Sequence, residues 1–228
     1  MTKTKRQSLG RIMSVVGAMA VLLAVACQAE PILRLDFAAV ATDPVQAGFT
    51  AHVGGSNATY STTAGDVTLT LTDFSSAGIF RPGVSDSGDF TYGALYCNSL
   101  FSNEPKATVT LSGPGIDANK AYYIRIFSYD YNPSGGGTRT VTYDVEGDTT
   151  GSFDPTSITF DRTAVPTSNY QYSALGTLTP SAAGELSFSL SGPAAAVRLN
   201  ALELQVIPEP GTLALFGLAG LLLLKRRR

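Results

Sequence analysis

The chain has no tryptophan, one histidine, two cysteines and three methionines in 228 residues, and only 15% of it is charged. Each shortage closes something off. Two cysteines, Cys27 and Cys97, cannot build a disulfide framework or a cysteine-based zinc site. Once a leader is removed after Ala29, Cys97 is a lone thiol, expected to pack as a small buried hydrophobe. A Ser-His-Asp triad would have to use His52, which sits among Gly, Ser and Thr with no Gly-x-Ser-x-Gly elbow in the chain. His52 reads as a solvated loop or strand-edge residue. No glycine-rich phosphate cradle of the P-loop or dinucleotide type occurs. The missing tryptophan removes a common stacking surface for sugars. No segment between the two ends carries a 3.6-residue apolar period, so a helical body is excluded.

What charge there is lies unevenly. Lys3, Lys5, Arg6 and Arg11 lead the chain, and Lys225, Arg226, Arg227 and Arg228 end it. Between residues 30 and 207 stand eight cations and seventeen acids, a net of −9 against −2 for the whole chain. So acidic a body repels phosphate backbones, which excludes nucleic acid as a partner. Neutral polysaccharide and divalent cations stay compatible with it.

The basic leader is followed by an apolar segment over residues 12–26 and then by small residues. This is the layout of a secretory signal peptide, assigned to residues 1–29. Cleavage fits after Ala26 or after Ala29. Cys27 opens a lipoprotein alternative, but Ala24 stands where lipoprotein signals usually carry leucine.

The other end, residues 206–228, has three parts. Pro208, Glu209 and Pro210 cannot continue a strand ladder, and Pro210 suits the first turn of a helix. Residues 211–224 are apolar on every side. The four cations then close the chain. At about 1.5 Å per residue this helix spans roughly 21 Å, short of the ~30 Å hydrocarbon core. Val206 and Ile207 extend it, and the long basic side chains can snorkel. A transmembrane helix over residues 211–224 is expected, with a C-terminal core helix as the alternative.

A Pro-Glu-Pro triplet, a short apolar helix and an arginine-rich end, in that order, resemble the PEP-CTERM protein-sorting signal. Proteins with that signal are exported by Gram-negative bacteria that make exopolysaccharide. The resemblance implies processing at or near the triplet by exosortase, a membrane-embedded cysteine protease. It makes Pro208, Glu209 and Pro210 a recognition site for that enzyme, and Lys225, Arg226, Arg227 and Arg228 a cytoplasmic basic anchor. The implied partners are the protease and, transiently, the membrane; the implied destination is the cell surface or extracellular matrix. The motif is an address, and does not say what the body does.

Residues 30–205 read as one domain of many short strands separated by Gly, Pro, Ser and Asp turns. That rhythm predicts an all-β, antiparallel β-sandwich, loosely similar to jelly-roll and galactose-binding-like modules. Strands are expected over residues 32–37, 49–53, 66–72, 108–111, 121–131, 138–145, around 158–160, 186–191 and 196–207. Residues 74–105, too long for an ordinary loop, are expected to be functional or to hold one or two more strands.

Tyr123, Arg125, Tyr129 and Tyr131, with Asp130 beside the glycine loop at residues 132–137, are the candidate ligand contacts. Aromatic faces and planar polar groups are what a sugar site needs. The competing reading is a sandwich core whose tyrosine hydroxyls reach its edge. A glycosidase would need two spaced carboxylates, and nothing in the sequence pairs Glu104, Glu146, Glu185 and Glu203. No metal site and no cofactor are assigned. Calcium would have only the acidic turns at residues 86–89 and 144–148, which lack EF-hand spacing. The chain is therefore expected to be a structural or adhesive protein that touches exopolysaccharide, with no catalytic residues. A secreted carbohydrate-active enzyme is the alternative.

Overall fold

Alternation of apolar residues with Ser and Thr builds several of the strands. In β4 (Gly65–Thr72), Val67, Leu69 and Leu71 are buried while the threonines between them are not. The same holds for Val109 and Leu111 in β7 (Lys106–Ser112) and for Val141 and Tyr143 in β9 (Thr138–Val145). Period two places one face of each strand on the core. The computed structural model describes residues 31–193 and 197–208. The expected leader, Cys27, Glu209, Pro210, the helix over residues 211–224 and the four terminal cations lie outside the described residues. Among the described residues, no helix is long and apolar enough to cross a membrane.

Two six-stranded sheets share one core. The first runs β10 (Thr150–Asp154), β12 (Ser173–Thr179), β8 (Tyr122–Phe127), β15 (Ala201–Val206), β1 (Leu33–Ala38), β2 (Thr50–Val53). The second runs β11 (Ser157–Asp161), β9, β13 (Leu186–Ser191), β7, β4, β3 (Ala58–Thr62). They meet through rings: Phe153 of the first lies 5.7 Å from Tyr143 and 5.6 Å from Phe188 of the second. Leu35, Phe37, Ile124, Ile126, Leu202 and Leu204 line the first sheet's inner side without exposure. Burying a side chain of this size is worth about 1.5–3 kcal/mol. The protein is all-β, and its sheets are β-sandwich-like.

Pairing departs from the expected pattern in one place. Among the described residues, all ladders between strands are antiparallel except β1 with β2, which is parallel. A parallel neighbour needs a connection that returns to the strand's start. Residues 39–49 supply it, folded on local carboxylate caps. Asp43 Oδ2 accepts from the Ala39 and Val40 amides, and Asp36 Oδ2 from the Gln46 amide.

The stretch read as one strand over residues 196–207 is broken at Asn200. β14 (Arg198–Leu199) pairs with β6 (Asn98–Phe101), which also pairs with β5 (Ile79–Phe80) in a small third sheet. Asn200 is buried and fully engaged. Its Oδ1 accepts from the Tyr129 amide at 2.6 Å, its Nδ2 donates to Asn98 O at 2.5 Å, and its carbonyl accepts from the Phe37 amide. An asparagine that offers the backbone alternative partners ends a strand. Residues 74–105 hold β5, β6 and a helical turn, Gly93–Cys97, as their length required. Cys97 is free and buried.

Candidate functional site

The outer face of the first sheet carries a row of charge set by strand register. Arg34 of β1 stands opposite Glu203 of β15, and Glu203 stands opposite Arg125 of β8. Directly opposed side chains on one face are within reach. Arg34 Nε lies 3.0 Å and Arg125 Nε 3.6 Å from the Glu203 carboxylate. Burial pushes the Glu203 carboxyl above the usual range, and the two guanidiniums oppose that shift. Tyr123 faces Gln205 one step further along the same ladder.

Aromatic rings border this row. The Arg125 guanidinium lies 4.5 Å from the centre of the Tyr170 ring, and that of Arg34 lies 5.8 Å from the Phe49 ring. Tyr92 joins Phe49 and Tyr170 edge-on at 5.9 and 5.7 Å, over Phe127 at the end of β8. Burial raises the Tyr92 hydroxyl well above its ordinary range. Tyr170 remains 50% exposed. Ring faces, a carboxylate, two guanidinium forks and a primary amide therefore converge on one open surface. These groups suit a ligand that is apolar on one side and rich in hydroxyls on the other.

A second cluster gathers where β8 and β11 finish and β9 begins. The Asp130 carboxylate has no solvent exposure. Its Oδ2 takes Arg162 Nε at 3.1 Å, Arg139 Nη1 at 3.2 Å and Arg198 Nη2 at 3.3 Å; its Oδ1 lies 3.5 Å from Arg81 Nε. Burial lowers Arg198 to about 10 and lowers Arg139 as well, with neighbouring arginines adding to both shifts and Asp130 opposing them.

The four candidate contacts do not stay together. Tyr123 and Arg125 lie on the outer face, as the alternation placed them. Tyr129 is fully buried, stacked on Tyr172 at 4.9 Å, and its hydroxyl donates to the Ala164 carbonyl. It offers no face to a ligand. Tyr131 lies over Gly83, where a Cβ would come within 2.7 Å of its ring. The period fails because β8 ends at Phe127, and Ser128 turns inward to donate to the Arg198 carbonyl at 2.6 Å. The sequence reading missed Arg34, Tyr92, Tyr170 and the placement of Glu203. Strand register would have found Arg34 and Glu203; nothing local marks the two loop tyrosines.

His52 is not solvated. It is buried on β2 against Phe37, with its Nδ1 2.5 Å from the Tyr60 hydroxyl, and burial lowers its pKa. An edge strand can still turn one face inward. Asp86 Oδ1 accepts from the Gly93 amide at 2.8 Å. Among the described residues, no group of three or more His, Cys, Asp and Glu side chains stands close enough to hold a metal ion.

Fold and sites together define an all-β body with polar sites built from arginine and carboxylate. Beyond the body, residues 206–228 match the PEP-CTERM protein-sorting motif. The chain thus carries an exosortase substrate signal, which implies export and membrane-anchored sorting. The match opens at Val206, the last residue of β15, and Pro208 follows it partly exposed. A residue without an N–H cannot extend the ladder, so the motif starts where the sheet stops. No curated protein and no solved structure matches the chain.

Proposed function

We propose that the body is a jelly-roll module of the extracellular matrix, delivered by its sorting signal, and that it holds polysaccharide on the outer face of its first sheet. The observation that carries this is the Arg34–Glu203–Arg125 row bordered by Tyr92 and half-exposed Tyr170. A sugar ring stacks its C–H patch on an aromatic face and exchanges hydrogen bonds with planar charged groups. The charged groups stand on the central strands β1, β15 and β8, and the two tyrosines stand on loops beside them. Strand order supports the jelly roll. Within the first sheet β1-β15-β8-β12 are neighbours, and within the second β7-β13-β9-β11. That is the double Greek-key order, and β2, β3, β4 and β10 lengthen its edges. The role is structural or adhesive, and the body itself does not carry out catalysis.

Fractionation of exporting cells tests the reading. A tagged chain is followed in cells that make exopolymer and in cells unable to make it. The shortened, processed chain is expected to sediment with polymer in the first and to pass into the medium in the second. The same distribution in both would remove the matrix role and leave the sorting signal standing.

A further inference from the structure

The sorting motif and the first sheet overlap. Val206 is the last residue of β15 and the first residue of the matched motif, and Ile207 alone separates it from Pro208. β15 is a central strand, with β8 on one side and β1 on the other. The two ladders differ in length. Along β8 the pairing runs from Ala201 to Val206, which stands opposite Tyr122. Along β1 it runs from Ala201 to Leu204, opposite Leu33, and the Ile32 amide donates to the Leu204 carbonyl at 2.8 Å. Leu204 is wholly buried, whereas Gln205 and Val206 are partly exposed. The hold on the strand therefore steps down after Leu204. The β8 side of the overhang is anchored, since Tyr122 is buried and its hydroxyl accepts from the Asp117 amide at 2.7 Å.

A cleft that takes an extended peptide pairs with its backbone N–H and C=O groups. In Gln205 and Val206 the register already pairs the backbone with Tyr123 and Tyr122 of β8. Each residue carries one backbone donor and one acceptor, so the sheet and a protease compete for the same groups. Reach sets the same conflict. From Val206 to Pro208 the chain extends at most about 7 Å, less than the ~10 Å between packed backbone layers. Starting from Leu204 it extends about 14 Å, which clears such a layer. Strand ends open far more readily than doubly paired core strands.

We propose that exosortase draws Gln205 and Val206 off β8 before it cuts, so that its recognition segment reaches back into the body as far as Leu204 and the sheet sets the rate of processing. This rests on the sorting signal and is independent of polysaccharide binding. Leu204, laddered on both sides, is the stop. The overhang is lent to the enzyme while the core of the central strand stays in place, so the released body keeps its fold.

The full tagged chain is followed by pulse-chase in exporting cells that contain exosortase, and conversion of the longer form to the shorter is timed. Gly-Ser-Gly-Ser inserted between Ile207 and Pro208 supplies reach without opening the sheet, and should speed conversion several-fold. Tyr123→Cys with Gln205→Cys places two thiols directly opposite each other, in an oxidising compartment where they can bridge. Thiol labelling selects the bridged chains. These should be cut several-fold more slowly than either single variant, and reductant should restore the rate, which also shows that the pair is folded. The proposal is overturned if the insertion leaves the rate unchanged or if bridged chains are cut as fast as the native chain. Native-rate cutting after Pro208, Glu209 and Pro210 are all changed to Ala would remove the signal and the proposal with it.

Discussion

The body contains six arginines, and all six stand against two carboxylates, four at Asp130 and two at Glu203. The Glu203 cluster is made by register: three neighbouring strands place Arg, Glu and Arg in line, and both arginines keep access to water. The Asp130 cluster is made by loops and strand ends that are distant in sequence, around a carboxylate with no exposure. The same chemistry therefore has different consequences. Water reaches both arginines on the sheet face, but not Asp130 itself, Arg162 or Arg198. An acidic net charge hides both clusters, because the cations that remain are concentrated rather than spread.

Substitution should separate them. Removing one partner of a buried ion cluster leaves uncompensated charge, typically worth about 3–5 kcal/mol. Asp130→Ala leaves four guanidiniums together and should cost stability in that range. Glu203→Gln leaves two arginines that water still reaches, and should cost about 1 kcal/mol or less. Denaturant unfolding of the two variants measures both. Equal losses would break the distinction.

A third carboxylate sharpens the comparison from the other side. Asp36 is as buried as Asp130, and among the described residues no arginine or lysine forms an ion pair with it. Its Oδ2 accepts from the Gln46 amide, its Oδ1 has no partner, and burial raises its pKa from 3.8 to about 7. A carboxyl whose pKa is raised on folding binds its proton more tightly in the native state. Its contribution is fully present below about 3.8 and is lost as pH rises through about 7. Between those limits the loss is at most about 1.4 kcal/mol per pH unit. The melting temperature should therefore fall between pH 5 and pH 7, and Asp36→Asn should flatten that part of the profile. A variant with an unchanged slope would show that Asp36 is not the titrating group.

Much of the fold was legible because alternation is a local signal. Thr138 to Val145 was read to the residue, and the inward faces of β4, β7 and β13 followed from their Val, Leu and Phe. Three strands were not legible. In β12, Gly176 takes an inward position without a side chain, because the Phe153 ring of the neighbouring strand fills that space. β10 has one buried residue, Phe153, and β3 is mostly hydroxyls and alanine. The candidate site was half legible. Tyr123 and Arg125 were placed correctly by period two. Tyr129 was not, because the strand ends two residues before it. The four arginines of Asp130 span positions 81 to 198, and only the chain path brings them together.

Polysaccharide retention is assigned to the outer face of the first sheet, and cosedimentation tests it most directly. The full chain, purified in mild detergent, is mixed with the insoluble exopolymer of the cells that make it. Tyr170→Ala and Arg125→Ala are tested beside it. Tyr170 is half exposed and Arg125 borders water, so neither change should alter folding. Aromatic and charged contacts of this kind are each worth about 1 kcal/mol. Retention of the native chain, and a several-fold weaker retention of each variant, is the predicted result. A native chain that stays in the supernatant, or variants retained as well as it is, would contradict the account.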